Sequence, residues 1–103
     1  MTNLILGFDP GLNTTGWGVI INQGNNDVYV DHGTIITDSK NCLGSRLNLI
    51  YEEACNVLKK HSPKSIAVEK IFANKNPEST LKLGKARAII FLVAARFKID
   101  IFE

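Results

Sequence analysis

Two cysteines, three prolines and one tryptophan in 103 residues exclude several kinds of protein at once. Cys42 and Cys55 are too few and too widely spaced for a zinc signature or a disulfide framework, so they are expected to be reduced structural thiols. His32 and His61 have no partner at metal-ligand spacing and are expected at the surface. The longest apolar run, "AIIFLVAA", is closed by Arg87 and Arg96 and is far too short to cross a bilayer. The N-terminus lacks a basic stretch leading to a small-residue cleavage site, so the chain is expected to be cytoplasmic and away from membranes. A formal charge of +2 is too small to argue for nucleic acid by itself.

What remains is ordinary globular material, with 45% hydrophobic and 21% charged residues and no repeat, linker or low-complexity tract. A single domain over residues 1–103 is expected. Its charge is unevenly spread. From Lys70 to Arg87 five bases (Lys70, Lys75, Lys82, Lys85, Arg87) face one acid, Glu78, which leaves the rest of the chain net negative.

The patterning gives an order of elements. "LILGF" (residues 4–8) is apolar without alternation, as in a central strand buried on both faces. After the turn chemistry of "DPGLN", "GWGVIIN" resumes an extended run, predicting an antiparallel pair. A second turn at "QGNND" leads to "VYVDHGTIIT", whose period-two pattern predicts a third strand with one wet face. From Leu43 the spacing becomes helical, with Leu43, Leu47, Ile50, Ala54, Val57 and Leu58 on one stripe and the helix ending at "HSPKS". "SIAVE" is a fourth strand. Asn76 as N-cap, Pro77 and Glu78 open a helix to about Arg96 whose second half is apolar nearly all round. That half needs the sheet on one side and another helix or subunit on the other. "IDIFE" is a fifth strand, and the strand–helix–strand crossovers imply parallel pairing. A mixed sheet needs cover on both faces, and the chain stops at a strand, so a C-terminally truncated domain with one bare face is expected.

Two strands end in acids. The right-handed crossover rule can place Glu69 beside Asp9, and neighbouring carboxylates repel unless a cation lies between them. Oxygen-only ligands favour magnesium or manganese, which activate water and neutralise a phosphoryl group in transfer. Each acid also has a plainer explanation: Asp before Pro-Gly is a turn former, and Glu69 suits a solvent-facing strand end. Gly16 and Gly18 around Trp17 fit close hairpin packing or an approaching ligand. Phe72, beside Lys75, suits either stacking on a nucleobase or covering the end of the core.

"ILGFDPGLNTTGWGVI", "SRLNLIY", "AVEKIF" and "NKNPESTLKLGKARAI", in that order, resemble the RuvC-type Holliday-junction resolvases, which have a ribonuclease-H-like fold. The resemblance implies a five-stranded mixed sheet, an antiparallel meander followed by parallel strands, with helices on its faces and the final helix missing. It implies a homodimer that nicks four-way DNA junctions in symmetric pairs during recombination and repair and cooperates with branch-migration proteins. The implied cofactor is Mg2+, with Mn2+ as substitute, two per active site in the complete protein. Asp9 and Glu69 match the first two catalytic carboxylates, and Phe72 matches an aromatic placed against junction bases. Phosphate contacts are expected from Lys75, Lys82, Lys85 and Arg87. Two further family ligands, in an Asp-x-x-Asp or Asp-x-x-His arrangement, have no match here, so the 103-residue chain alone is expected to be inactive. Rival readings are the phosphate-binding half of an actin-like ATPase or sugar kinase, which "FDPGLNTTGWGV" also resembles, a ribosomal-RNA-processing nuclease, and a non-catalytic fragment that binds DNA or dimerises.

Overall fold

The computed structural model describes residues 3–71 and 76–103. Strands β1 (Leu4–Asp9), β2 (Thr14–Gln23) and β3 (Asn26–Ile36) are followed by helix α1 (Leu43–His61), strand β4 (Ser65–Val68), helix α2 (Pro77–Arg96) and strand β5 (Asp100–Phe102). One sheet runs β3-β2-β1-β4-β5. The first three strands pair antiparallel and the β1/β4 and β4/β5 pairs are parallel, so β1 is central as its composition implies.

Strand parity decides which side carries the helices. Leu6 lies opposite Ile66 and Phe8 opposite Val68, and all four are buried. Leu6, Phe8 and Ile66 pack with Ile50, Ala54 and Leu58 of α1 and Ile90 and Val93 of α2. Removing their apolar surface from water supplies the main driving force for folding. Both helices therefore cover one face. The alternate residues, Ile5 and Gly7 on β1 and Ser65 and Ala67 on β4, are only half-buried. The expectation that β1 is buried on both faces is corrected accordingly: among the described residues its second face has no cover, as the bare-face reading anticipates.

Local chemistry sets the element ends. Gly24, at φ 62°, makes the two-residue turn between β2 and β3 with no steric penalty, so the strands extend closer together than "QGNND" suggests. Helix α1 ends at Ser62, in the left-handed region, whose N–H donates to the Leu58 carbonyl at 2.8 Å, just before Pro63. At the start of α2 the Asn76 side chain accepts from the N–H groups of Glu78 and Ser79, as the cap reading requires.

The period-two reading of β3 fails near its start. A bulge puts Val19 opposite Asp31 but Ile20 opposite Tyr29, and Val28, Tyr29 and Val30 are all exposed. Beyond the bulge the strand regains one inward row. Gly33 lies opposite Trp17, and a Cβ there would come within 2.5 Å of the indole ring. Glycine is what lets Trp17 lie flat against β3.

His61 is not a surface residue. Its side chain is 11% exposed, its Nε2 lies 3.0 Å from Asp31 Oδ2 and its ring centroid lies 5.9 Å from that of Trp17. The helical period from Leu43 carries His61 back over the sheet, and Asp31, on the inward row of β3 with Gly33 and Ile35, meets it. Of the two thiols, Cys55 is buried and Cys42 is exposed, which limits the structural-thiol expectation to Cys55.

Gly33→Ala is expected to destabilise the fold by about 1–3 kcal/mol, as overpacking does, and to shift the fluorescence of the lone tryptophan; urea unfolding measures the first and emission spectra the second. Around Asp31, partial desolvation pulls the carboxyl upward, but the His32 N–H, His61 and Lys60 outweigh it and hold the pKa below its usual 3.8. A depressed folded pKa stabilises above the unfolded value and is lost as pH falls through the folded one. Asp31→Asn is thus expected to lower the melting temperature at pH 7, by an amount that shrinks as pH falls below 3.8, measured by thermal unfolding across pH.

Candidate active site at the ends of β1 and β4

The parallel register that buries Phe8 against Val68 carries one residue further to Asp9 and Glu69. Both carboxylates emerge exposed at the same end of adjacent strands. They line a common cavity of about 160 Å³ with Pro10, Lys70, Ile71, Leu83 and Arg87. A larger cavity of about 540 Å³ opens from the same two acids along the uncovered face, with Gly7, Gly16, Gly18 and Ala67 beneath it.

That run of small residues has a geometric meaning. A Cβ on Gly16 would meet Asp9 Cβ at 3.9 Å and one on Gly18 would meet the Asp31 carbonyl at 4.0 Å, both ordinary contacts. Hairpin packing therefore does not demand these glycines, and their effect is to leave the approach to Asp9 free of side chains. Gly11 differs: a Cβ there would strike the Thr14 carbonyl at 2.4 Å. The Thr15 hydroxyl donates to the Gly11 carbonyl at 2.8 Å, tightening the turn that follows Asp9.

Arg87 occupies the floor of the smaller cavity, and its commitments are internal. Its Nε donates to the Glu69 carbonyl at 3.2 Å, its second nitrogen pairs with Glu103, and its guanidinium stacks 4.8 Å from the Phe91 ring centroid. It braces the end of β4. Lys82 lies 3.6 Å from Glu78 in an exposed pair one helical turn apart, which holds it weakly, and Lys85 is exposed on α2. Phe72 and Lys75 lie outside the described residues.

A magnesium ion is commonly bound by one or two carboxylates with water and substrate phosphate completing its shell, and the Asp9–Glu69 pair fits that pattern. Among the described residues no group of three or more His, Cys, Asp or Glu forms a richer cluster. A second ion would need ligands from outside them.

One residue escaped the reading by charge runs. Arg46, on the first turn of α1, donates through Nε to Thr37 Oγ1 at 3.1 Å and through Nη2 to the Leu12 carbonyl at 3.3 Å, with Asn13 Oδ1 as a further partner. It fastens the turn after Asp9 to α1. The only signal for it was its place in "SRLNLIY".

The profile of crossover junction endodeoxyribonuclease RuvC matches residues 5–103. Crossover junction endodeoxyribonuclease RuvC of Wolbachia pipientis wMel is 45% identical over 100 residues, covering 96% of this chain and 62% of the relative. That of Caulobacter sp. strain K31 is 48% identical over 92 residues, covering 89% of this chain and 54% of the relative. The chain thus spans 54–62% of the length of these relatives. Thermus thermophilus RuvC, solved in complex with a Holliday junction substrate, superposes with a TM-score of 0.87 at 21% identity, over 96% of this chain and 62% of that one. This likeness confirms the ribonuclease-H-like arrangement of a meander followed by parallel strands. A family profile that covers nearly every residue, on a sheet that brings Asp9 to Glu69, establishes that the chain belongs to the crossover junction endodeoxyribonuclease RuvC family.

Proposed function

We propose that this chain carries part of a magnesium-dependent nuclease centre that cuts four-way DNA junctions by paired symmetric nicks. The observation that carries the reading is that Asp9 and Glu69, each directly after the paired residues Phe8 and Val68, line one cavity, in a chain of the RuvC family. Its relatives are named crossover junction endodeoxyribonucleases, and the Thermus thermophilus protein was solved with a Holliday junction. Asp9 and Glu69 would hold the metal, with Mn2+ able to replace Mg2+. When bound, such an ion polarises a phosphoryl oxygen and makes its water a better nucleophile.

The chain's own residues do the rest. The carboxylates fix where the phosphodiester must lie, because their charge repels it everywhere except at the cation they share. The glycine floor lets a sugar-phosphate backbone come close without displacing side chains. Arg87, through the Glu69 carbonyl and Glu103, holds the end of β4 in place. Two metal ions per site would require ligands in addition to these two carboxylates, and cleavage is proposed to depend on them.

Paired nicks require two sites, and α2 offers a surface for a homodimer. Leu81 (66% exposed), Ala88, Leu92 (48% exposed) and Ala95 recur at coiled-coil-like spacing on its outer side. The second half of α2 thus meets the core with one side and leaves an apolar stripe on the other, the pattern expected of a helix that packs on a second copy.

In the complete protein, Asp9→Asn and Glu69→Gln are each expected to lower junction cleavage in Mg2+ by at least about a hundredfold while leaving junction binding within about twofold, read by gel cleavage and mobility-shift assays. Cleavage retained by either variant would sink the metal assignment. Leu92→Glu is expected to shift the protein toward monomer in sedimentation velocity and to replace paired nicks with uncoordinated single ones. An unchanged dimer would contradict the role given to α2.

A further inference from the structure

A cleft of about 670 Å³ opens next to the carboxylate site, between the turn after β1, the β3–α1 loop and the start of α2. Gly11, Asn13, Ser39, Arg46, Ser79 and Lys82 line it, and Leu83 borders both this cleft and the cavity that holds Asp9 and Glu69. We propose that Arg46 is the seat of a DNA backbone phosphate on the strand being cut, close beside the bond that the carboxylates address. This rests on the reading of the site as a DNA nuclease.

The argument is one of unbalanced charge. Arg46 is half-buried, yet its partners are a carbonyl, an amide oxygen and a hydroxyl, and among the described residues no carboxylate pairs with it. A guanidinium that gives up part of its hydration without a counter-charge is set to receive an anion. Three neutral acceptors fix the plane of its fork through Nε and Nη2, and among the described residues Nη1 has no partner in this cleft-lining side chain. A pre-oriented guanidinium suits phosphate, which it can meet with two parallel hydrogen bonds. Ser39 and Ser79 add hydroxyl donors along the same wall, and Lys82 adds a second cation whose exposed pairing with Glu78 holds it loosely.

Continuity points to a strand rather than a free anion. The glycine-floored trough, the Asp9–Glu69 cavity and the Arg46 cleft follow one another, sharing first the two carboxylates and then Leu83. Anionic, metal-holding residues are thus followed by a cationic seat, the alternation needed to hold a strand on one side of the bond that breaks. Because Arg46 also anchors the Leu12 carbonyl, phosphate bound there would press on the turn that carries Asp9.

The test is fluorescence anisotropy of four-way junction binding by the complete protein, between about 50 and about 300 mM salt, where the slope counts phosphate contacts. Wild type, R46Q, R46K and S39D are compared, with melting temperatures for each. S39D leaves every Arg46 anchor intact and adds a negative charge to the cleft, so it reads the site even if R46Q folds poorly. R46Q and S39D are each expected to reduce the slope of log affinity against log salt by about 0.9, one phosphate contact, with several-fold weaker binding, and R46K to restore the slope. S39D is expected to melt as wild type does. If S39D binds with the wild-type slope while R46Q loses only melting temperature, Arg46 is a structural fastening and the proposal falls, with the nuclease reading untouched. If inorganic phosphate raises the melting temperature of wild type but not of S39D and no DNA slope changes, the site takes free anions only and the proposal also falls. Failure of the wild-type protein to bind junction or duplex DNA would overturn both this proposal and the reading beneath it.

Discussion

The parallel pairing of β1 with β4 is the constraint on which the rest of the molecule depends. It joins two strands that are separated by β2, β3 and α1 in sequence, and its register is fixed by burial: Leu6, Phe8, Ile66 and Val68 must all face the helices. A slip of one residue would turn that row outward and send one of the carboxylates under α2. The site is thus a consequence of core packing. Asp9 and Glu69 take the next positions along strands whose alternation is already decided.

Around that register the molecule separates its charges. The acids share their cavity with Lys70 and Arg87 but form no ion pair among the described residues, and Arg46 stands beyond Leu83 where no described carboxylate pairs with it. Arg87, by contrast, is matched by Glu103 and a carbonyl, and contributes rigidity. The same residue type takes opposite roles according to what the neighbouring strand end offers. The glycines of β1 and β2 keep the space between these poles open.

Much of this was legible in the sequence, because its signals were local or topological. Asn76-Pro77-Glu78 announces a helix start, the spacing from Leu43 announces α1, and the crossover rule places Glu69 beside Asp9 without any contact being known. What was not legible depends on partners distant in sequence. His61 reads as a surface residue because nothing local shows that Asp31, on the inward row of β3, comes to meet it. Val28 and Val30 alternate as buried residues would, but both are exposed in this first part of β3. Gly33 looks like a weak point in a strand until Trp17 is laid across it. Arg46 sits outside the lysine-rich segment that drew attention to Lys82, Lys85 and Arg87, and its partners come from two separate turns. Charge counting finds clusters; it does not find a lone cation that no described carboxylate pairs with.

The central claim is that Asp9 and Glu69 form one cation site, and paramagnetic broadening by Mn2+ tests it most directly. In nitrogen-15 amide spectra titrated with substoichiometric Mn2+, signals should broaden first around residues 9–11, 16–18 and 68–70, and the effect should disappear in both Asp9→Asn and Glu69→Gln. Broadening centred elsewhere, or surviving when either carboxylate is lost, would contradict the account.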